Sequence, residues 1–403
     1  MKKFALVTLA SLLFSAFTSQ AGVNEDSTKS GKLTISGYVD VYYQYNLNNP
    51  TPDPGLTFTE NPGRIFDIKN NQFSLGLAQT KFAYTTDKSE VVVDLTYGPN
   101  SVLGNFGNVL GANDISIKQA YFSYMFTDKL NVTVGQFGTH VGYELIDAPL
   151  NYNYSLSYLF GNGPFYHTGA KASYEISESF GIMAGIVNGW DEMYDFNGTK
   201  SAIAQIYVAP TDGFNIYVNY IGGDERNGWS FPTISNKFGT TPPGGTKCVS
   251  HLFDLTTTYQ LTDAFKLGLN AAYGFGTNLK IDATQADGYS KGTWGGAALY
   301  ADYRFSDFFG LGLRAEHFID KDGLRYISST FGQGCTVSEF TLTGDLKFMD
   351  GHFNLKPEFR IDVAKVNDEF GGAFKGYVKN PGSSDAKATN IQPTIGMAAI
   401  YAF

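Results

Sequence analysis

The sequence predicts an all-β chain: a closed antiparallel transmembrane β-barrel of 16 strands with an inward-folded third external loop. Three observations carry that expectation. Apolar and polar residues alternate with period two along most of the chain, the connections between these segments switch strictly between short and long, and aromatic residues gather at segment ends. Composition excludes the alternatives. Of 403 residues 17% are charged and 15% aromatic, and the mean hydropathy of −0.16 shows apolar and polar residues finely mixed. After residue 21 no stretch approaches the roughly 18 consecutive apolar residues of a membrane helix, and the shortage of Lys/Glu/Ala/Leu blocks excludes coiled coils.

The first residues read as a leader. Lys2 and Lys3 precede an apolar core over 4–17, and Ser19-Gln20-Ala21 supplies small residues around a cleavage point, so residues 1–21 are expected to be a secretory signal peptide removed after Ala21. Residues 22–32 follow as a short periplasmic segment, and 33–403 as the barrel. Removing Lys2 and Lys3 takes the formal charge from −9 to −11, which argues against nucleic acid as a partner because phosphate binding requires a basic face.

Each strand follows from its alternation. In 33–45 the odd positions Leu33, Ile35, Val39 and Val41 are apolar and the even positions Thr34, Ser36, Asp40 and Gln44 polar, a strand with one apolar face. The pattern recurs over 91–97, 130–137, 168–176, 180–190, 202–209, 214–222, 251–261, 265–276, 294–305, 309–319, 337–348, 353–364 and 389–403. Segments 73–84 and 115–126 complete the set of 16, but their phase slips near Gln79 and Gln119, which reads either as bulges or as a wall facing protein instead of lipid. Along the 14 regular strands the apolar face holds no Asp, Glu, Lys or Arg; its least apolar members are Gln136, Asn188, His251 and His317. The opposite face carries Asp40, Asp94, Lys171, Asp254, Asp302, Arg304, Arg314, Glu316, Lys356, Glu358, Arg360 and Asp362.

Connections and ends place those strands in a bilayer. Short links such as 127–129, 262–264 and 306–308 alternate with long Gly/Asn/Pro-rich ones such as 46–71, 223–249 and 365–388, the rhythm of periplasmic turns and external loops. Aromatics including Tyr84, Phe126, Phe305 and Phe348 cluster beside the short turns, and Tyr45, Tyr97 and Trp190 at the other end, as interfacial belts do. The last strand alternates to a terminal Phe403. Unpaired backbone groups in hydrocarbon cost several kcal/mol each, so the strands must close on themselves, with both termini at the periplasmic side. Barrels of 16 to 18 strands enclose water.

Connection 138–167 stands apart. Gly135-Gln136-Phe137-Gly138-Thr139, Gly142-Tyr143-Glu144, Asn153-Tyr154-Ser155-Leu156-Ser157 and Pro164-Phe165-Tyr166-His167-Thr168-Gly169 resemble the OmpL-like β-barrel porin family over most of the chain after the leader. The resemblance implies an outer-membrane porin with solute passage and no chemistry; it names no solute. Read from its residues, the connection is too rich in Tyr and Phe to stand in water, so folding into the barrel mouth is expected. Glu144 and Asp147 would then form an acidic pore constriction, facing a lumen basic wall of Arg304, Arg314, Lys356 and Arg360 and setting a field across the pore. The competing reading is that these charges satisfy one another as lumen salt bridges through Glu316, Glu358 and Asp362.

Other residue types point away from chemistry. His140 and His167 bracket the connection without ligand-spaced acidic or thiol partners, so they are expected as loop anchors and no metal or cofactor is expected. Cys248 and Cys335 are too few for a scaffold and can form one bridge across the rim or none. The functional expectation is passive diffusion of small hydrophilic solutes through the outer membrane of a Gram-negative bacterium, by a lipid-embedded barrel whose oligomeric state stays open, a homo-oligomer included. The alternative is an adhesin or barrel enzyme acting through its external loops. An energy-coupled transporter, with about 22 strands and a plug, does not fit the length.

Overall fold

The computed structural model describes residues 31–50, 59–105, 115–195, 197–225, 247–281, 289–325, 327, 334–366 and 389–403. The expected leader, residues 1–21, and nearly all of 22–32 lie outside the described residues. Sixteen strands form one closed antiparallel barrel, each paired with its chain neighbours. They are β1 (Lys32–Asn46), β2 (Gln72–Thr85), β3 (Ser89–Tyr97), β4 (Ile115–Met125), β5 (Leu130–Gly138), β6 (Tyr166–Ser177), β7 (Phe180–Val187), β8 (Ser201–Thr211), β9 (Phe214–Asp224), β10 (Val249–Thr262), β11 (Phe265–Ile281), β12 (Tyr289–Arg304), β13 (Phe309–Asp320), β14 (Cys335–Phe348), β15 (Phe353–Val366) and β16 (Ile391–Ala402). Two short helices, α1 (Pro99–Asn105) and α2 (Tyr158–Asn162), lie in long connections, and Thr59 and Glu60 pair with Asn70 and Lys69 in the first.

Closure comes from β1 against β16, with Tyr38 opposite Ala402 and Asn46 opposite Thr394. Beyond the last paired residues, the backbone amides of Gly37 and Phe403 donate to each other's carbonyls at 3.0 and 2.9 Å, so no strand edge is left in the wall. Four of the short turns share one device. The Thr86 hydroxyl accepts from the amides of Lys88 and Ser89, Thr127 from Lys129 and Leu130, Thr262 from Ala264 and Phe265, and Ser306 from Phe309. A hydroxyl that supplies the turn's acceptor explains why Thr-Asp and Ser-Asp pairs punctuate the chain where strands reverse.

Period two sorts the side chains as a barrel requires. Leu299 and Ile186 point outward at 60% and 61% exposure, where lipid would cover them, whereas Asp94, Arg314 and Asp362 point inward at 0%. Four polar residues of the apolar stripe have partners. The Gln136 amide donates to the carbonyl of Ile117 at 2.5 Å, Asn188 to that of Met193 at 3.0 Å, His251 meets the Tyr220 hydroxyl at 2.9 Å, and His317 meets the Ser338 hydroxyl at 2.8 Å.

Both phase slips are β-bulges. Between β1 and β2 the register passes from Val39–Ala78 to Val41–Leu75, so Asp40 faces both Gly76 and Leu77. Between β3 and β4 it passes from Asp94–Gln119 to Leu95–Ile117, so Lys118 is the extra residue. A bulge re-aims a side chain and leaves ladder carbonyls unmatched; here Lys118 turns inward, and Gln136 donates to the carbonyls of Ile117 and Lys118. Exposed rings collect near the short turns, among them Phe126, Phe305 and Phe308, and at the opposite end Phe73, Tyr97 and Tyr273. Trp190 departs from that belt: β7 ends at Val187, and Trp190 is 2% exposed, packed edge-on to Trp294.

The rim disulfide is not made. Cys248 and Cys335 are buried and not joined to each other. They flank the external ends of β10 and β14, four strand spacings apart, about 19 Å along the wall at about 4.8 Å each, while a disulfide requires Cα atoms within about 7 Å.

Candidate functional site

Residues 139–165 connect β5 to β6 and are bonded to inward side chains around most of the barrel. The neck is closed by the Thr139 amide donating to the Phe165 carbonyl at 3.1 Å. From there the chain crosses toward β9 and β10, where His140 Nε2 donates to the Tyr220 carbonyl at 3.0 Å and the Gly142 amide donates to Asp254 at 3.1 Å. Burial lowers the His140 pKa from 6.5 to about 4, keeping the ring neutral. Tyr143 stacks on Tyr300 of β12 with centroids 4.1 Å apart. This approach needs glycine in the wall, because a Cβ at Gly268 would lie 2.5 Å from the Tyr143 ring and one at Gly312 2.9 Å from Tyr152.

The two carboxylates singled out in the sequence each hold a cation. Glu144 Oε1 lies 2.5 Å from Arg314 Nη1, and its other oxygen accepts from the Ser157 amide at 2.8 Å. Asp147 lies 2.5 Å from Lys118 and accepts from Gln79 at 3.0 Å. Behind Lys118 stands Asp94, 3.6 Å away.

Three members of the basic wall lie beneath the segment instead of facing an open lumen. Arg314, Lys356 and Arg360 are 0%, 1% and 1% exposed. Arg314 binds Glu144, Glu339 and the Ser155 carbonyl; Arg360 binds Asp362 and the Leu156 carbonyl; Lys356 donates to the carbonyls of Ala148 and Asn151. Wall carboxylates take the segment's amides in turn. Glu358 accepts from Tyr154 and Ser155, and Glu316 from Tyr158 and Leu159 at 2.7 and 2.6 Å, at the start of α2. Arg304, nearer the short turns and partly exposed, pairs with Asp345 and faces the Tyr152 ring at 5.7 Å. A buried charge is tolerable only when paired and hydrogen-bonded; Arg314 and Arg360 have carboxylates in contact, and Lys356 is held by two loop carbonyls. The expected opposition of acid and base across water is thereby replaced by direct contact.

Two cavities remain on the other side of the segment. One of 280 Å³ is bounded by Glu90, Lys118, Tyr121, Lys171 and Gln205; the other, of 350 Å³, by Tyr152, Tyr207, Asn215, Lys266 and Asp302. Glu144, Leu145 and Tyr217 line both. The family model for beta-barrel porin-2, OmpL-like, matches residues 32–403. The chain belongs to that family. The porin is therefore an outer-membrane protein. Solved structures share its fold at low identity. OmpT, an outer membrane protein of Vibrio cholerae in its trimer form, is 12% identical, covering 93% of this chain and 100% of its own, with a TM-score of 0.56. The outer membrane channel DcaP of Acinetobacter baumannii is 11% identical over 94% of this chain and 99% of its own, with a TM-score of 0.57. An anion-selective porin from Comamonas acidovorans is 11% identical over 93% and 100%, with a TM-score of 0.56. Curated proteins give no significant match.

Several residues of the porin's site lay outside the sequence expectation. Arg64 and Asp67 of the first external connection join the network, with Arg64 2.7 Å from Asp67 and 2.8 Å from Asp362, and Phe66 packs on Phe160 and Phe165. Lys118 was hidden by the bulge, whose displaced phase was the available signal. His140 and His167 are anchors: His167 Nε2 meets the Thr139 hydroxyl at 3.0 Å.

Proposed function

We propose that the porin is a passive diffusion channel for small hydrophilic solutes, narrowed by the connection 139–165, and that it passes them without chemical change. Glu144 and Asp147 belong to the loop side of the narrowing, and Arg304, Arg314, Lys356 and Arg360 to its anchorage. The observation that carries this reading is the pair of cavities sharing Glu144, Leu145 and Tyr217: the segment is bonded to much of the wall yet leaves space beside these residues. A 16-stranded wall is wide enough to keep water inside, and a loop fixed at many points gives that water a defined minimum width. The working unit is proposed to be a homo-oligomer, the trimer form of one structural neighbour supporting this.

Single-channel conductance in planar bilayers tests the reading. The purified barrel is expected to give discrete steps, and removal of residues 144–157 to raise the step size, since the exposed wall charges Arg314, Glu316, Glu358 and Arg360 would then be hydrated. An unchanged step in a folded deletion variant would show that the segment does not limit passage. Absence of any step from the intact barrel would remove the channel reading itself. Cross-linking in detergent reads the oligomer.

A further inference from the structure

The channel reading leaves open which sign of charge the passage favours, and the charges around the larger share of polar wall answer it. Five Lys, Asp and Glu side chains line the 280 Å³ cavity: Glu90, Lys118, Glu144, Asp147 and Lys171. Glu144 is committed to Arg314, and Asp147 to Lys118, which also has Asp94 at 3.6 Å. Each of these lies in contact with a counter-charge; the Lys118, Asp147 and Asp94 group holds one carboxylate more than cations, but Asp94 has no exposed surface and does not line the cavity. Glu90 is the second residue of β3, beside a short turn, and accepts from the Tyr121 hydroxyl at 3.3 Å, so it stands at the periplasmic opening.

Lys171 differs from all four. It sits mid-strand in β6, between Thr133 of β5 and Gly185 of β7. Its ammonium lies 4.4 Å from the centre of the Phe137 ring, and among the described residues no carboxylate comes within salt-bridge reach of it. The nearest wall is neutral: Thr133, Ser173, Gln205 and Phe137 line the same cavity. An ammonium held against a ring and away from counter-charge is underhydrated, and it attracts an anion more strongly than a lysine in an ion pair does. Neighbouring hydroxyl and amide donors extend the site.

We propose that Lys171 is an anion-binding residue of the pore and gives the passage a preference for small solutes carrying a carboxylate or phosphate, despite the chain's net charge of −9. This rests on the channel reading. Net charge is spread over loops and turns, whereas permeation samples the potential inside the narrowing.

Reversal potential across a tenfold KCl gradient is the test, with wild type, Lys171→Met and Lys171→Arg measured on barrels shown to be folded. Wild type is expected to favour chloride over potassium at about 0.1 M salt and to lose most of that preference near 1 M, where the Debye length falls to about 3 Å. Lys171→Met should lower the chloride-to-potassium permeability ratio by at least about fivefold, the factor for chloride alone of one unit charge acting at about 4 Å in water, and Lys171→Arg should retain it. Inorganic phosphate added to the chloride solution should reduce the wild-type current more than that of Lys171→Met. A wild-type channel that favours potassium, or a Lys171→Met channel of normal conductance and unchanged ratio, overturns the proposal while leaving the channel reading intact. If Lys171→Met does not fold, the sign of the wild-type reversal potential alone decides the matter. An intact barrel without conductance defeats both readings.

Discussion

Arg314 shows what the inward charges are for. It has no exposed surface, and it holds a loop carboxylate, Glu144, and a wall carboxylate, Glu339, both at 2.5 Å. Replacing it with Met would leave Glu144 buried without a cation and Glu339 with only Arg360, 3.6 Å away. Breaking a buried pair from one side costs about 3 to 5 kcal/mol, because the remaining charge stays desolvated. Arg304 provides the contrast: it also has a carboxylate partner, Asp345, but its side chain is 19% exposed and water can take over. Asp345 is itself buried but keeps Lys347 at 4.0 Å, so loss of Arg304 should cost less than loss of Arg314. The temperature at which the folded band disappears from unboiled gels should therefore fall more for Arg314→Met than for Arg304→Met. Equal falls would mean that the segment is not held from beneath by Arg314. Sequence alone put both arginines on the inward face correctly, since period two fixes the face. It could not tell which was covered, because coverage depends on where another part of the chain comes to rest.

At the scale of elements, the strands were legible and the site's partners were not. Alternation identified all 16 barrel strands, and the threonine-bearing links located most turns, because both signals are local. The two places where alternation failed are bulges, and each lies beside a charge bonded to the loop: Asp40 accepts from the Tyr154 hydroxyl at 2.6 Å, and Lys118 binds Asp147. This suggests a test of whether the second bulge serves the wall or the loop. Excising Lys118 keeps Gln119 inward and Ile117 outward, so β4 becomes a regular strand and pairing with β3 continues. The variant should still insert and run as a folded barrel, but its melting temperature on gels should drop as Asp147 loses its cation. Failure to assemble would show that closure itself needs the bulge. Trp190 illustrates the opposite limit of local reading. It continues the alternation of β7, yet the strand ends at Val187, and the ring is claimed by Trp294 and by the Arg325 guanidinium 4.9 Å away.

For the whole molecule, the decisive asymmetry is between the two faces of one wall. Outward residues such as Leu299 are exposed and would meet lipid, where an ammonium has no water and no counter-charge; inward residues such as Ser173 line a cavity. Leu299 pairs with Leu269 across β11 and β12, five residues from the end of β12 at Arg304, which is about 17 Å along the strand at about 3.4 Å per residue. Leu299→Lys should therefore destabilise the barrel by about 2 to 4 kcal/mol, the range for a cation near the bilayer midplane. Ser173→Lys should change stability little, because its ammonium reaches water in the lumen. The two substitutions add the same charge and end at the same side chain in strands of one sheet, so net charge cancels in the comparison. A soluble β-sandwich would also reject Lys at a core leucine, but its penalty would not depend on the surrounding lipid. Folding both variants into bilayers of short-chain and long-chain lipids separates these cases. In thinner membranes Leu299 sits closer to the interface, so its penalty should shrink while that of Ser173→Lys stays near zero. A penalty for Leu299→Lys that ignores bilayer thickness would mean that the outward stripe is buried by protein at that position, and would place an oligomer contact on β11 and β12.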